Sequence, residues 1–220
     1  MDALLAIGGE GPSRGLLESR FGSFGLVCAA DSGLSLLAGW GLEPGLIVGD
    51  FDSLDPPSLL DAYEAKGIEV LRYPRAKDES DTELGLRILR ERGAARVIIA
   101  GGGGGRIDHL LAIRSLFERE AWPAEWHTAG DSLYAVEEGA ALEFEAGAGE
   151  VVSVFPLAAG ARGMESEGLA WPLSGLVWGP GGFGLSNEAL GGRVRIRAGK
   201  GRLLVVRPRG AQTRASPARG

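Results

Sequence analysis

The spacing of apolar residues changes character along this chain. "ALLAI" (3–7), "GLVCAA" (25–30), "LIVG" (46–49), "IEVL" (68–71) and "RVIIAG" (96–101) are short runs bounded by glycines or charges. Three of them are almost unbroken apolar stretches, the pattern of strands buried on both faces. Between these runs the period lengthens. "PPSLLDAYEAKG" opens with prolines and stops at Gly67, which predicts a helix. "SDTELGLRILRERG" starts with a capping box, Ser80 to Glu83, sets Leu84, Ile88 and Leu89 on one face, and stops at Gly93. Further helices are expected to start near Ser32 and His109. Strand alternating with helix predicts a mainly parallel, Rossmann-like α/β sheet with helices on both sides.

From about residue 122 strict alternation takes over. "EWHTAG", "SLYAVEEG", "ALEFEAG", "EVVSVFPL", "RVRIRAG" and "RLLVVRP" are short and separated by glycines, with no helical period among them. This predicts an antiparallel β-sandwich or barrel. The expected division is an α/β domain over 1–121, a β-sandwich over 122–207 and a disordered tail over 208–220, which is small, basic and proline-containing.

Composition narrows the partners. The chain has 220 residues, 45% of them hydrophobic, a size for one large domain or two small ones. A net charge of −6 disfavours nucleic acid, which recruits basic surfaces. No apolar run reaches the length of a membrane span, and the N-terminus lacks the basic start of a signal peptide, so a cytoplasmic protein is expected. Cys28 is the one cysteine, which excludes an intramolecular disulfide and reads as a core residue.

Charged residues recur where the predicted strands end. Asp31 follows the second, Asp50 and Asp52 the third, Lys77, Asp78 and Asp81 the fourth, and Arg106, Asp108 and His109 the fifth. Ligands of open α/β sheets bind beyond these carboxyl ends. Clustered carboxylates without cysteines make a hard, oxygen-rich site suited to Mg²⁺, which completes its shell with water and phosphate. Lys77 and Arg106 suit the same phosphates. The run of five glycines, with Gly104 and Gly105 before Arg106, allows close backbone approach, and the next helix start adds N–H donors. Plainer roles exist for each: Asp31 and Asp108 as helix caps, Asp81 as a favourable first-turn charge. The common nucleotide fingerprints are absent, because Arg106 stands where G-x-G-x-x-G needs its last glycine.

The stretches "AADSGLSLLAGWGLEPGLIVGDFDSL", "YPRAKDESDTELGLRIL", "GGGGGRIDHLLA", "VVSVFPL", "GLAWPLSG", "GLSNEAL" and "GKGRLLVV" resemble, in order and spacing, the thiamin pyrophosphokinase family over nearly all of residues 25–206. The resemblance implies an α/β domain that binds ATP and Mg²⁺, a β-sandwich that binds thiamine, and a homodimer with sites near the subunit interface. It implies diphosphoryl transfer from ATP to the hydroxyl of thiamine, giving thiamine diphosphate and AMP. Family metal and phosphate residues map to Asp31, Asp50, Asp52, Asp78 or Asp81, and Asp108. Of these, Asp50, Asp52 and Asp108 are expected to hold the metal. Lys77, Ser80, Gly104, Gly105, Arg106 and His109 are expected at the nucleotide, and Ser186, Asn187 and Trp171 at thiamine. Three positions depart from the family pattern: Ser32 in place of Gly, Ser80 in place of Thr, and Ile113 in place of Asn. Two other readings use the same residues: a Mg²⁺-dependent pyrophosphokinase for another alcohol such as a hydroxymethylpterin, and a non-catalytic sensor of thiamine or nucleotide.

Overall fold

A computed structural model describes residues 1–209. The chain forms two compact units, the first spanning Met1–Gly130 and the second starting at Asp131. In the first unit β1 (Asp2–Ala6), α1 (Arg14–Phe21), β2 (Phe24–Ala30), α2 (Gly33–Trp40), β3 (Leu46–Gly49), α3 (Ser58–Ala65), β4 (Glu69–Arg72), α4 (Asp81–Glu91), β5 (Arg96–Ala100), α5 (Ile107–Leu116) and β6 (Glu125–His127) follow one another. Their strands lie in the order β6-β5-β1-β2-β3-β4. All five pairings are parallel.

The unbroken apolar runs are the central strands. Leu4, Leu5, Cys28, Ala29, Ile47, Val48, Ile98 and Ile99 are all fully buried. Each buried aliphatic side chain contributes about 1.5–3 kcal/mol relative to exposure. The predicted capping box on α4 is present: the Ser80 hydroxyl accepts from the Glu83 N–H, and the Ser80 N–H donates to the Glu83 carboxylate. Leu84, Ile88 and Leu89 are buried, as their spacing requires. Strand order places the site. The chain adds β2, β3 and β4 on one side of β1, then returns to add β5 on the other. The carboxyl ends of β1 and β5 therefore flank a topological switch point, where such sheets open a crevice.

Three local expectations are corrected. The N-cap of α2 is Ser32, not Asp31, and that of α5 is Arg106, not Asp108, so neither aspartate is a cap. α5 begins at Ile107 rather than near His109. "EWH" does not open the antiparallel region: β6 pairs parallel with β5, from Ile98↔Glu125 to Ala100↔His127. An alternating stretch reads as antiparallel by habit, but here both faces are covered, and Glu125 and His127 are buried against one another at 2.9 Å.

The second unit contains β7 (Asp131–Val136), β8 (Ala141–Ala146), β9 (Val151–Pro156), β10 (Ala161–Arg162), β11 (Glu165–Glu167), β12 (Val177–Trp178), β13 (Gly184–Glu188), β14 (Gly192–Arg197) and β15 (Leu203–Pro208). One antiparallel sheet runs β13-β9-β15-β7 and another β11-β14-β8, with β10–β12 a separate pair. Inward residues of both sheets, among them Val136, Val152, Val154, Val194, Ile196 and Val205, form a single core, so the unit is a sandwich. Residues 208 and 209, assigned to the expected tail, are ordered against β7. Pro208 still pairs with Asp131, and Arg209 donates to the Asp131 carbonyl at 2.9 Å and to Ser132 Oγ at 2.6 Å. Residues 210–220 lie outside the described residues.

Candidate active site

The carboxyl ends of β2 and β3 bring three carboxylates together. Asp31, Asp50 and Asp52 each offer an oxygen within 4.8 Å of the others. Two backbone strains create this arrangement. Asp31 has φ +48° and Phe51 has φ +62°, the left-handed region that non-glycine residues seldom adopt. The left-handed turn at Phe51 folds the chain back on itself, so that the Asp52 N–H reaches Asp50 Oδ1 at 3.2 Å. Strain of this kind costs about 1–3 kcal/mol per residue and persists where surrounding structure enforces it. Gly49 enforces part of it: at φ +149° a Cβ there would sit 3.2 Å from the Asp31 Cα and N, so only glycine lets the two strand ends approach.

The charges are incompletely answered. Asp31 Oδ1 is buried without a hydrogen-bond partner. Burial pushes this carboxyl above its ordinary range, against the Ser32 N–H, and the charges of Asp81, Asp50 and Asp52 add to the push. Burial also acts on Asp50, but there the Asp52 N–H at 3.2 Å and the Lys77 ammonium outweigh it and hold the carboxyl low. Lys77 Nζ lies 3.4 Å from Asp50 Oδ2 and 3.0 Å from Asp81 Oδ1, the second contact an ion pair poorly aligned for a hydrogen bond. Ser53 Oγ donates to Asp52 Oδ1 at 2.9 Å, and Arg75 reaches the other oxygen at 3.3 Å from a fully solvated position. A buried carboxylate oxygen with no donor, in an all-oxygen set, fits a hard divalent cation.

A cleft of about 480 Å³ runs from Asp31 across the switch point. Its walls are the Gly8-Gly9 turn, Ser32, the start of α4 at Ser80–Glu83, the glycine loop and one face of α5. This volume suits a nucleotide-sized ligand. The glycine loop is tied down from both sides. Gly101 N–H bonds His127 O at 3.0 Å, Gly102 N–H bonds Gly8 O at 2.8 Å, and Glu10 and Gly103 form a two-way bridge. Gly101 passes so close to β1 that a Cβ would fall 2.1 Å from Ile7 O. The "GGEGP" turn is thus both a brace for the loop and part of the cleft wall.

Other expected residues fall at the cleft mouth or outside it. Arg106 is 74% exposed and grips Asp108 with two bonds, at 3.1 and 2.5 Å. This pair holds the Asp108 carboxyl low. Asp108, expected as a metal ligand, is not in the three-carboxylate group, whose third member is Asp31. His109, Arg106 and Gly105 line the cleft, whereas Asp78 is exposed. Ser80 lines it too, but its hydroxyl is engaged with Glu83. Ile113 is buried beneath Gly102, and Ser32 Oγ packs where a Cβ on Gly8 would be, so both departures from the family pattern serve as cleft wall. Thr82, Glu83, Ser53 and Arg119 also line the cleft and were not anticipated. Glu83 was legible only as a cap, and it also pairs with Arg119 from beyond α5, a contact that no sequence spacing reveals.

In the sandwich, Asn187 is 6% exposed, and both ends of its amide are engaged. Oδ1 accepts from the Trp171 and Glu188 N–H groups at 3.1 and 2.9 Å, and Nδ2 donates to Trp171 O at 2.6 Å. Asn187 therefore clamps the Trp171 backbone rather than pointing at solvent. Trp171 itself is 57% exposed. Ser186 has φ +56° and is exposed, with its N–H on Ser153 Oγ at 3.0 Å.

Two family models match the chain. Residues 18–121 match the thiamin pyrophosphokinase catalytic domain, and residues 141–203 match the thiamin pyrophosphokinase vitamin B1 binding domain. The chain belongs to the thiamin pyrophosphokinase family. The fold agrees with solved structures of that name. A thiamin pyrophosphokinase family protein of Enterococcus faecalis is 21% identical with a TM-score of 0.76, covering 96% of this chain and 100% of that one. Thiamine pyrophosphokinase of Bacillus subtilis is 22% identical with a TM-score of 0.76, over 94% and 99%. Thiamin pyrophosphokinase of Geobacillus thermodenitrificans is 23% identical with a TM-score of 0.74, over 94% and 97%. Among curated proteins none matches. The boundary of the catalytic-domain match falls before β6, so the α/β unit continues past it to Gly130. Among the described residues no helix is long and apolar enough to cross a membrane.

Proposed function

We propose that the α/β cleft binds ATP with Mg²⁺, that the sandwich binds thiamine, and that the enzyme transfers the diphosphoryl group of ATP to the thiamine hydroxyl. The alcohol oxygen forms a bond to the β-phosphorus, the bond from that phosphorus to the oxygen shared with the α-phosphorus breaks, AMP leaves with that oxygen, and the hydroxyl proton passes to solvent. Family membership supplies the reaction. The observation that carries the site is the three-carboxylate group at the switch point, with the unpartnered Asp31 oxygen inside it.

Asp31, Asp50 and Asp52 are the proposed metal ligands, with Asp31 replacing Asp108. Bound there, Mg²⁺ would neutralise phosphate charge and relieve the repulsion felt by an incoming alcohol. The protein supplies the rest by positioning, which dominates phosphoryl-transfer catalysis. The turn at Phe51 fixes the relative orientation of Asp50 and Asp52 before substrate arrives. Lys77 is held next to the carboxylates and is a proposed phosphate donor. Arg106 stands at the cleft mouth, kept there by Asp108, and stabilises charge on the transferred group. The tethered glycine loop presents backbone close to the phosphates without a side chain in the way.

Trp171, fixed by Asn187, is the proposed aromatic face for the thiazolium cation. Ser186 lies exposed next to Asn187. Val177, Phe183, Leu185 and Leu190 are exposed apolar residues of the sandwich and support a homodimer. A cytoplasmic setting completes the reading, since ATP and free thiamine meet there.

The test is incubation with thiamine, ATP and Mg²⁺, with and without EDTA, followed by chromatography. Thiamine diphosphate with equimolar AMP, lost in EDTA, is expected. Thiamine monophosphate with ADP would replace the reaction with simple phosphorylation. A protein that binds ATP but leaves thiamine unchanged would move the substrate to another alcohol or the chain to a sensor.

A further inference from the structure

Lys77 is placed where a lysine seldom rests. Its side chain is 14% exposed, and its ammonium stands between two carboxylates, 3.4 Å from Asp50 Oδ2 and 3.0 Å from Asp81 Oδ1. Lysine ammonium groups ordinarily stay in water unless paired. The contact with Asp50 is made at one particular atom. Oδ1 of Asp50 already accepts the Asp52 N–H at 3.2 Å, and Oδ2 is the oxygen turned to Lys77. A cation held by Asp50 in the three-carboxylate group needs that same carboxylate, and two cations on one carboxylate repel. Asp81 differs from Asp50: it lines the cleft and stands outside the three-carboxylate group.

We infer that Lys77 is a built-in counter-ion that competes with the divalent metal for Asp50. With no metal bound, the ammonium neutralises Asp50 and steadies the clustered carboxylates. When a metal is held by Asp31, Asp50 and Asp52, the ammonium gives up Asp50 and stays with Asp81, which brings its charge to the cleft where phosphates lie. Metal arrival and phosphate binding are thereby coupled through one side chain. Lys77 is a positioning residue in this respect, and the inference rests on the reading of Asp31, Asp50 and Asp52 as metal ligands.

The test is Mn²⁺ binding to the whole protein without nucleotide, followed by electron paramagnetic resonance of the free ion, in wild type, Lys77→Met, Lys77→Arg and Asp50→Asn. Lys77→Met is expected to bind Mn²⁺ about tenfold more tightly than wild type, the ordinary scale of coupling between two linked binding events. Lys77→Arg, which keeps the charge, is expected to stay near wild type. A Mn²⁺-dependent rise in Tm should be larger in Lys77→Met. Damage to the fold would weaken binding, so the direction separates competition from disruption. Unchanged or weaker Mn²⁺ binding in a folded Lys77→Met protein, while Asp50→Asn abolishes binding, would overturn the inference and leave the metal site standing. Wild-type binding that survives Asp50→Asn would instead remove the metal site, and the inference with it.

Discussion

On the outer face of the sandwich, opposite charges are matched across strands. Arg193 and Arg195 of β14 lie 2.7 and 3.2 Å from Glu143 of β8, and Arg197 lies 3.5 Å from Glu165 of β11. Between these arginines, Val194 and Ile196 enter the core, so charge and burial occupy separate faces. The end of the α/β sheet is arranged differently. There Asp31, Asp50 and Asp52 converge, Lys77 stands between Asp50 and Asp81, the Asp31 Oδ1 oxygen is buried unpaired, and Asp31 and Phe51 take left-handed backbone angles. In the sandwich the charges named pair across strands, and the Asn187 amide is engaged at both ends by backbone. The α/β edge leaves the buried Asp31 Oδ1 without a partner. An unmet charge at a strained turn costs stability and keeps binding capacity for a ligand that supplies the missing charge.

The comparison is most sharply broken at Asp50. Asp50→Asn keeps the size and the turn but removes charge from the cation site. Turnover is expected to fall roughly 10²–10³-fold, on the scale of removing one transition-state electrostatic contact, with an unchanged circular dichroism spectrum. A well-folded Asp50→Asn enzyme of near-normal rate would show that the carboxylate group is not the metal site.

Asn187→Ala should act in the opposite way, through structure. It strips partners from the buried clamp on Trp171, so a loss of about 1–3 kcal/mol is expected on denaturant unfolding. Because Trp171 then wanders, KM for thiamine should rise more than kcat falls. A kcat loss at unchanged stability would place Asn187 in the chemistry instead.

A smaller effect of inverted sign is expected at Asp31. Its raised carboxyl is most compatible with folding below the ordinary aspartate range, and that compatibility is lost as pH rises and the buried group must ionise. At neutral pH Asp31→Asn should therefore raise the Tm of the metal-free protein, on the order of 2–4 °C, while removing the stabilisation that Mg²⁺ adds. A lower Tm would mean that Asp31 is already well satisfied without metal.

The smallest effect belongs to the sandwich surface. Glu143→Gln should leave Tm and turnover within error, because solvated ion pairs contribute little. A large loss there would mean that the outer face is covered in the working protein.

The sequence alone determined the parts of this molecule that local physics controls. Unbroken apolar runs require burial on both faces, so the central parallel strands were legible, as was α4 with its Ser80–Glu83 box. The alternation of β14 required a half-buried antiparallel sheet. The aspartates at the strand ends were visible because a parallel sheet puts all its carboxyl ends on one edge, whatever the strand order. Tertiary structure alone decided which of them meet. Asp31 and Asp50 are brought together because β2 and β3 are neighbours and Gly49 permits their approach, while Asp108 leaves with α5 and pairs with Arg106. β6 looked antiparallel because alternation reports local polarity and not the direction of a partner strand. Asn187 was expected at thiamine from the family resemblance, and only the tertiary structure shows that its amide engages the Trp171 backbone. Periodicity encodes which side of an element is buried; the distances between charges on different elements depend on strand order and on how closely two backbones can pass.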